Sequence, residues 1–315
     1  MKLVIQIPCY NEEKTLPVTL GEIPRQIDGI DEIEFVVIND GSTDNTSDVA
    51  RQCGITNIVE MPHNCGLAKA FVAGLNKSLE IGADIIVNTD ADNQYNAEDI
   101  KNIVKPILAG EADIVIGSRP VDKIKHFSIL KKFLQKIGSQ VMRIISSTSV
   151  EDAPSGFRAF SRSAAMQINI FDNYTYTLET IIQAKAKGLT IASVPIRVNE
   201  DLRKSRLVKN IFDYIVRSTY TMTRMFLIYR PFRFFSVISC IFLILGAVLG
   251  IRFLYYYFGT GGSGHIQSLI LAAILTITGV QIMVIAVLSE LFSINRKLLE
   301  DIQKRLKLQN FKDKN

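Results

Sequence analysis

The sequence predicts an α/β fold, a doubly wound and mostly parallel sheet, followed by an amphipathic helix and two transmembrane helices. Three observations carry this. Apolar runs of strand length alternate with helical stretches of about 10–15 residues. Polar residues gather where successive strands end. Two apolar runs near the C-terminus are each long enough to cross a hydrocarbon core of about 30 Å.

The first strand is Leu3-Val4-Ile5-Gln6-Ile7, ending at Pro8. Tyr10-Asn11-Glu12-Glu13 follows, and a helix with an acidic first turn is expected there. The second strand, Glu34 to Ile38, ends in Asn39-Asp40-Gly41-Ser42, and Ser42, Thr43 or Asp44 is placed to cap a helix running toward Cys53. A weaker strand covers Ile55 to Met61. Asn64-Cys65-Gly66-Leu67-Ala68-Lys69-Ala70 turns into a helix ending near Gly82. Ala83-Asp84-Ile85-Ile86-Val87 is the next strand, Ala97 to Leu108 a helix, and Asp113 to Gly117 a strand that delivers Ser118 and Arg119. Lys123 to Ser149 reads as basic and mostly helical. Glu151 to Phe160 reads as a loop stiffened by Pro154, with an acid, a glycine turn and an arginine close together. Thr177 to Lys187 is a helix. Ile191 to Val198 is a strand whose Pro195 points to a sheet edge.

Asn88-Thr89-Asp90-Ala91-Asp92-Asn93-Gln94-Tyr95 sits where a buried parallel strand ends, and ligands of open α/β sheets bind at such ends. Asp90 and Asp92 share one side if the chain stays extended, and Gln94 adds a neutral oxygen on that side. Two like charges held together are costly unless a cation neutralises them. Hard oxygen ligands suit Mg²⁺ or Mn²⁺, so Asp90, Asp92 and Gln94 are the candidate metal ligands. A solvated Asp-rich turn is the plainer reading of the same residues.

After the α/β domain, Val208, Ile211, Phe212, Ile215, Val216, Met222 and Met225 form a helical stripe beside Lys209, Arg217 and Arg224. A basic amphipathic helix next to a span is expected at the membrane interface, and core packing is the alternative. Phe232 to Phe258 and Ser268 to Ile294 are the two spans, joined by the polar turn Gly259 to His265. Arg230 and Arg233 precede the hairpin and a basic tail follows it, so the positive-inside rule places both termini and the α/β domain in the cytoplasm. The expected segments are 1–206 (α/β domain), 207–231 (juxtamembrane helix), 232–294 (hairpin) and 295–315 (cytoplasmic tail).

Composition excludes several classes. The chain has 315 residues, 48% of them hydrophobic, and a net charge of +5 whose basic residues cluster beside the apolar runs, so no nucleic-acid partner is expected. Cys9, Cys53, Cys65 and Cys240 show no metal or disulfide spacing, which fits reduced thiols in a cytosol-facing domain. His63, His126 and His265 are scattered, giving no support to a Ser-His-Asp triad. No Gly-x-Gly-x-x-Gly follows the first strand, and there is no Gly-Lys-Ser/Thr phosphate loop. The segment Met1 to Ile7 is too short for a signal peptide.

Six pieces taken together resemble the family 2 glycosyltransferases of GT-A fold, and within them the polyprenyl-phosphate and dolichyl-phosphate sugar synthases. They are Ile7-Pro8-Cys9-Tyr10-Asn11-Glu12, Val37 to Asp44, Asn64 to Ala70, Asp90-Ala91-Asp92-Asn93-Gln94, Ser155-Gly156-Phe157-Arg158 and Arg203-Lys204-Ser205-Arg206-Leu207. Asn93 and Tyr95 depart from the Leu-Gln-His-Pro run common after the second aspartate, and the Arg203 segment lacks a frequent glycine.

The resemblance implies an inverting, metal-dependent hexosyltransferase of the cell envelope, moving sugar from a nucleotide donor of UDP-glucose or GDP-mannose type to polyprenyl phosphate. It implies that Pro8, Tyr10, Glu12, Ile38, Asp40, Asp90 and Ala91 hold the nucleotide sugar. Arg119 and Arg203 would contact phosphate groups. Arg203, Ser205 and Arg206 would hold the acceptor phosphate, with Asp92, Asp152 and Arg206 as catalytic residues and Asp152 a suggested base. The alternatives are transfer to a lipid hydroxyl or a glycan, and a non-catalytic nucleotide-sugar binder in the membrane. A homo-oligomer is a possible assembly.

Overall fold

The computed structural model describes residues 1–120, 150–170, 176–199, 220, 223–224, 227–260 and 265–312. Two compact units result, Met1–Met222 with Gln303–Asn315, and Thr223–Ile302.

In the first unit the strands are β1 (Lys2–Cys9), β2 (Glu32–Asn39), β3 (Asn57–Glu60), β4 (Ile85–Asn88), β5 (Ile114–Ser118), β6 (Arg158–Ser161) and β7 (Ile191–Pro195). They form one sheet in the order β3-β2-β1-β4-β6-β5-β7. All neighbours pair in parallel except β6, which runs antiparallel to both β4 and β5. The sheet is thus mostly parallel, as expected. β6 corrects the expected loop over Glu151 to Phe160: its last residues are a strand filling the gap between β4 and β5. β7 lies at the edge, with Pro195 paired to Ser118.

The helices are α1 (Leu16–Glu22), α2 (Thr46–Gln52), α3 (Leu67–Glu80), α4 (Ile100–Leu108, preceded by a 3₁₀ turn at Ala97–Asp99), α5 (Arg162–Gln167) and α6 (Thr177–Ala186). Side chains alternate across a strand, and β1 uses that alternation to bury both faces. Leu3, Ile5, Ile7 and Cys9 join a core with Leu16 and Leu20 of α1 and Ile100, Ile103 and Val104 of α4. Gln6 faces the other way, toward α3, where its Nε2 donates to Phe71 O. Gly74 of α3 permits that close approach: a Cβ there would stand 2.6 Å from Gln6 Oε1 and 2.8 Å from Ile38 Cδ1. Covering on both faces explains the nearly continuous apolar strands.

Two helix starts differ from expectation. α1 begins at Leu16, after a turn in which Leu16 N donates to Glu12 O, so the acidic pair precedes the helix. The N-cap residue of α2 is Asn45; Asp44 instead accepts from the Thr46 amide.

The second unit contains α7 (Pro231–Thr260) and most of α8 (Ile266–Lys312). Both are long and apolar enough to cross a membrane, each containing an 18-residue stretch of high mean hydropathy, 2.7 in α7 and 2.5 in α8. Small residues let them approach. Ser239 Oγ donates to Gly279 O at 2.7 Å, and a Cβ at Gly246 would stand 2.6 Å from Thr276 Oγ1. α8 continues as helix well past Ile294, through the basic segment expected as a separate tail. Most of the amphipathic stretch 207–231 and all of the basic stretch 123–149 lie outside the described residues.

Candidate active site

Because β1, β2, β4 and β5 all run in one direction, their carboxyl ends meet along one edge of the sheet. Asn11 and Glu12, Asp40, Asp90 and Asp92, and Arg119 follow those ends, as the sequence predicts.

At the β1–β2 side the two loops lock together. Asn11, at φ +57°, donates its amide to Ser42 Oγ and accepts from the Thr43 amide at 2.7 Å. Glu12 is buried, accepts from Thr15 Oγ1 at 2.6 Å, and donates its amide to Thr46 Oγ1. Asp40 accepts from the amides of Cys65 (2.7 Å) and Gly66 (2.9 Å), tying β2 to the start of α3. Gly41, at φ +66°, lies so near the neighbouring loop that a Cβ would stand 2.3 Å from the His63 carbonyl carbon. Pro8 and Ile38 are buried in the sheet, whereas Tyr10 is exposed at its edge.

The segment after β4 is not extended. Ala91 and Asp92 make a turn, Asn93 takes a left-handed φ of +56°, and the Gln94 amide donates to Asp92 Oδ1 at 3.3 Å. Exposure alternates nonetheless. Asp90, Asp92 and Gln94 are half-buried, while Ala91, Asn93 and Tyr95 are buried. The three oxygen-bearing side chains thus remain the accessible ones, although by a turn and not by strand geometry. Among the described residues no three His, Cys, Asp or Glu side chains cluster to hold a metal. Two carboxylates and an amide nonetheless suit Mg²⁺ or Mn²⁺ when phosphates and water complete the shell.

Two side chains expected to act separately are paired. Arg119 Nε and Nη2 reach Asp152 Oδ2 and Oδ1 at 2.6 and 3.0 Å, and the Arg119 amide also donates to Asp152. Both are buried. Burial alone would lower the Arg119 pKa, but the Asp152 charge raises it above the ordinary range. The pair leaves Arg119 Nη1 outside it.

Beneath Asp90 lies a polar cluster that sequence reasoning missed. Gln6 Nε2 donates to Asn88 Oδ1 at 2.8 Å, and Asn88 Nδ2 donates to Gly156 O and Tyr176 Oη. Tyr176 in turn donates to Gly156 O, and the Gly156 amide donates to Tyr95 Oη at 3.0 Å. The legible signal is an amide set in each of two apolar strands, Gln6 in β1 and Asn88 in β4. Arg158 is fully buried and donates to Ser155 O, Ala153 O, Thr177 O and Thr180 Oγ1, fixing the 153–156 loop to α6. Burial pushes its guanidinium down to about 10, still charged at neutral pH.

Asn199 carries no signal of a site role in sequence, where it only opens a charged stretch. Its amide donates to Gln94 O at 2.9 Å and its Nδ2 to Asn93 O at 3.1 Å, while Val198 bridges Tyr95. The chain after β7 therefore passes beside the Asp90–Gln94 turn. Arg203, Ser205 and Arg206 lie outside the described residues.

The chain is 31% identical over 212 residues to the UDP-N-acetylglucosamine–dolichyl-phosphate N-acetylglucosaminyltransferase of Methanococcus voltae, covering 61% of this chain and 83% of that protein. It is 28% identical over 218 residues to the undecaprenyl-phosphate mannosyltransferase of Micrococcus luteus, covering 66% and 88%. Among solved structures, glucosyl-3-phosphoglycerate synthase from Mycobacterium tuberculosis, in complex with Mn²⁺, UDP and glucosyl-3-phosphoglycerate, shares the fold. Its TM-score is 0.55 at 21% identity, over 72% of this chain and 78% of that one. The model of the family described as Glycosyl transferase family 2 matches residues 4–168, a span that includes both aspartates, Arg119, Asp152 and Gly156, and the chain belongs to that family.

Proposed function

We propose that the protein is a membrane-anchored glycosyltransferase that moves a hexose from a nucleoside diphosphate sugar to polyprenyl phosphate with inversion. The donor is of UDP-glucose or GDP-mannose type. The observation that carries this reading is the half-buried Asp90/Asp92/Gln94 turn at the sheet edge, beside the Arg119–Asp152 pair. Relatives named for dolichyl and undecaprenyl phosphate support the acceptor class, and a fold neighbour holding Mn²⁺ and UDP supports the donor side.

Asp90, Asp92 and Gln94 would hold Mg²⁺ or Mn²⁺, which when bound offsets charge growing on the leaving diphosphate. Glu12, Asp40 and Tyr10 shape the edge where the nucleotide lies, Asp40 by fixing the Cys65–Gly66 loop. Arg119, held by Asp152, presents Nη1 to a phosphate. A phosphate monoester acceptor is already ionised near neutral pH and needs positioning more than a base. Asp152, with both oxygens on Arg119, fits that requirement as an orienting group. The same pairing disfavours a hydroxyl acceptor, which does need a base.

The family resemblance supports assigning Arg203, Ser205 and Arg206 to phosphate, with Arg206 on the acceptor. α7 and the apolar part of α8 anchor the enzyme, with the catalytic domain and both termini cytoplasmic.

The test is direct. Purified protein is incubated with a panel of UDP- and GDP-sugars, Mn²⁺ and polyprenyl phosphate, and the lipid is weighed by mass spectrometry. A hexosyl-phosphoryl-polyprenol product is expected. Transfer only to a lipid hydroxyl or a glycan, or no transfer from any donor bound, overturns the reading.

A further inference from the structure

Gly156 lies against Asp90 in a way that singles out two phenols. A Cβ at Gly156 would stand 3.3 and 3.4 Å from the two Asp90 carboxylate oxygens and 3.0 Å from Tyr176 Oη. The two peptide groups flanking the Gly156 Cα are both held. The Gly156 amide donates to Tyr95 Oη at 3.0 Å, and its carbonyl accepts from Tyr176 Oη at 3.1 Å and Asn88 Nδ2 at 2.9 Å. Each phenol is itself locked by packing. The Tyr176 ring stacks on Phe71 with centroids 3.8 Å apart and planes 2° apart, and Tyr95 stacks on Phe157 at 5.1 Å. Asn88 ties the arrangement to β1 through Gln6.

We infer that Tyr176 and Tyr95 are positioning residues for the metal site, acting through Gly156. They clamp Gly156 through the peptide groups before and after its Cα, and the side-chain-free Gly156 forms the floor that fixes where the Asp90 carboxylate sits. The inference rests on the reading that Asp90 holds the metal.

The device fits its chemistry. Both phenols are buried, and an ordinary phenol is protonated and neutral near neutral pH. A charged donor in that place would compete with the metal for Asp90; a neutral peptide backed by neutral phenols does not. Groups that orient a metal ligand from behind are worth about 10- to 100-fold in metal affinity. Tyr95 stands where the resemblance leads one to expect histidine, so this half of the clamp distinguishes the chain from the common pattern.

The test uses the full-length protein in detergent. Mn²⁺ binding is counted from the loss of its free EPR signal, with UDP or GDP present, whichever the protein binds. Transfer kinetics and thermal unfolding are measured alongside. Tyr176→Phe keeps the stack on Phe71 and removes only the hydroxyl. It is expected to weaken Mn²⁺ binding about tenfold, with the KM for lipid phosphate unchanged. Gly156→Ala is expected to weaken it further, because its Cβ meets Tyr176 Oη. Adding Tyr176→Phe to Gly156→Ala makes room for that Cβ and should recover part of the loss; recovery of Mn²⁺ affinity without a matching rise in the thermal midpoint separates the clamp from a general loss of stability. Asp90→Asn is the control for the underlying reading. If Asp90→Asn leaves Mn²⁺ binding intact, the metal assignment fails, and this inference with it. If Asp90→Asn loses the metal while Tyr176→Phe and Gly156→Ala keep it, the metal assignment stands and the clamp is overturned.

Discussion

Arg119 and Asp152 form a buried two-point ion pair, Nε to Oδ2 at 2.6 Å and Nη2 to Oδ1 at 3.0 Å, with side chains 9% and 1% exposed. It joins the end of β5 to the loop before β6. Removing one partner strands the other as a buried charge, at a cost of about 3–5 kcal/mol. Asp152→Ala and Arg119→Ala should therefore each lower the thermal midpoint strongly. Arg119→Met with Asp152→Leu should regain much of that stability and none of the activity. A double variant with near wild-type transfer rates would show the pair to be structural only.

Asp92→Ala should abolish transfer with the fold intact, because Asp92 lies in a half-buried turn outside the strands. Loss of metal stabilisation of the leaving group predicts a fall of at least about a thousandfold in kcat. The wild-type enzyme should lose activity in chelator and regain it with added Mn²⁺ or Mg²⁺. Full turnover in chelator refutes the metal role.

Arg206→Ala should raise the KM for lipid phosphate about ten- to a hundredfold, since hydrogen bonds to charged groups are worth about 1.5–3 kcal/mol. Nucleotide-sugar binding should barely change. The loss should persist in neutral detergent. Full recovery there means that Arg206 only attracts anionic headgroups, at about 1 kcal/mol. A rise in both substrate constants for Arg203→Ala would put Arg203 between donor and acceptor.

Topology is checked by cysteine labelling of intact cells or right-side-out vesicles. A membrane-impermeant reagent applied from outside should modify Ser263→Cys in the turn between the spans and miss Lys297→Cys. The reverse pattern would falsify the orientation.

The raised phenol pKa values predict sensitivity to alkali. Tyr95 and Tyr176 titrate near 10 when unfolded and higher when folded. Their contribution is fully present below pH 10 and is lost as pH rises toward the folded values. Each lowers stability by up to about 1.4 kcal/mol per pH unit in that window. Thermal midpoints between pH 9 and about pH 11 should fall less steeply for Tyr95→Phe and Tyr176→Phe than for wild type. Parallel curves would rule out this linkage.

The sequence by itself determined most of the elements and the sheet edge where the candidate site residues gather. Apolar runs such as Leu3 to Ile7 and Ile85 to Val87 mark strands buried on both faces, and the polar residues after them identify the carboxyl edge. Pro195 marked the edge strand because it cannot donate to a ladder. The two apolar C-terminal helices were legible from length and composition. Tertiary structure alone decided which polar residues face one another. Arg119 and Asp152 are 33 residues apart and Gln6 and Asn88 are 82 apart, and neither spacing reveals a contact made through the sheet. The strand at Arg158–Ser161 escaped detection because it is short and its pairing with β4 and β5 is non-local. Gly156 reads as an ordinary turn glycine in sequence. Only the fold puts it 3.3 Å, measured from an added Cβ, from Asp90, since local pattern records what a residue prefers and packing sets what it meets.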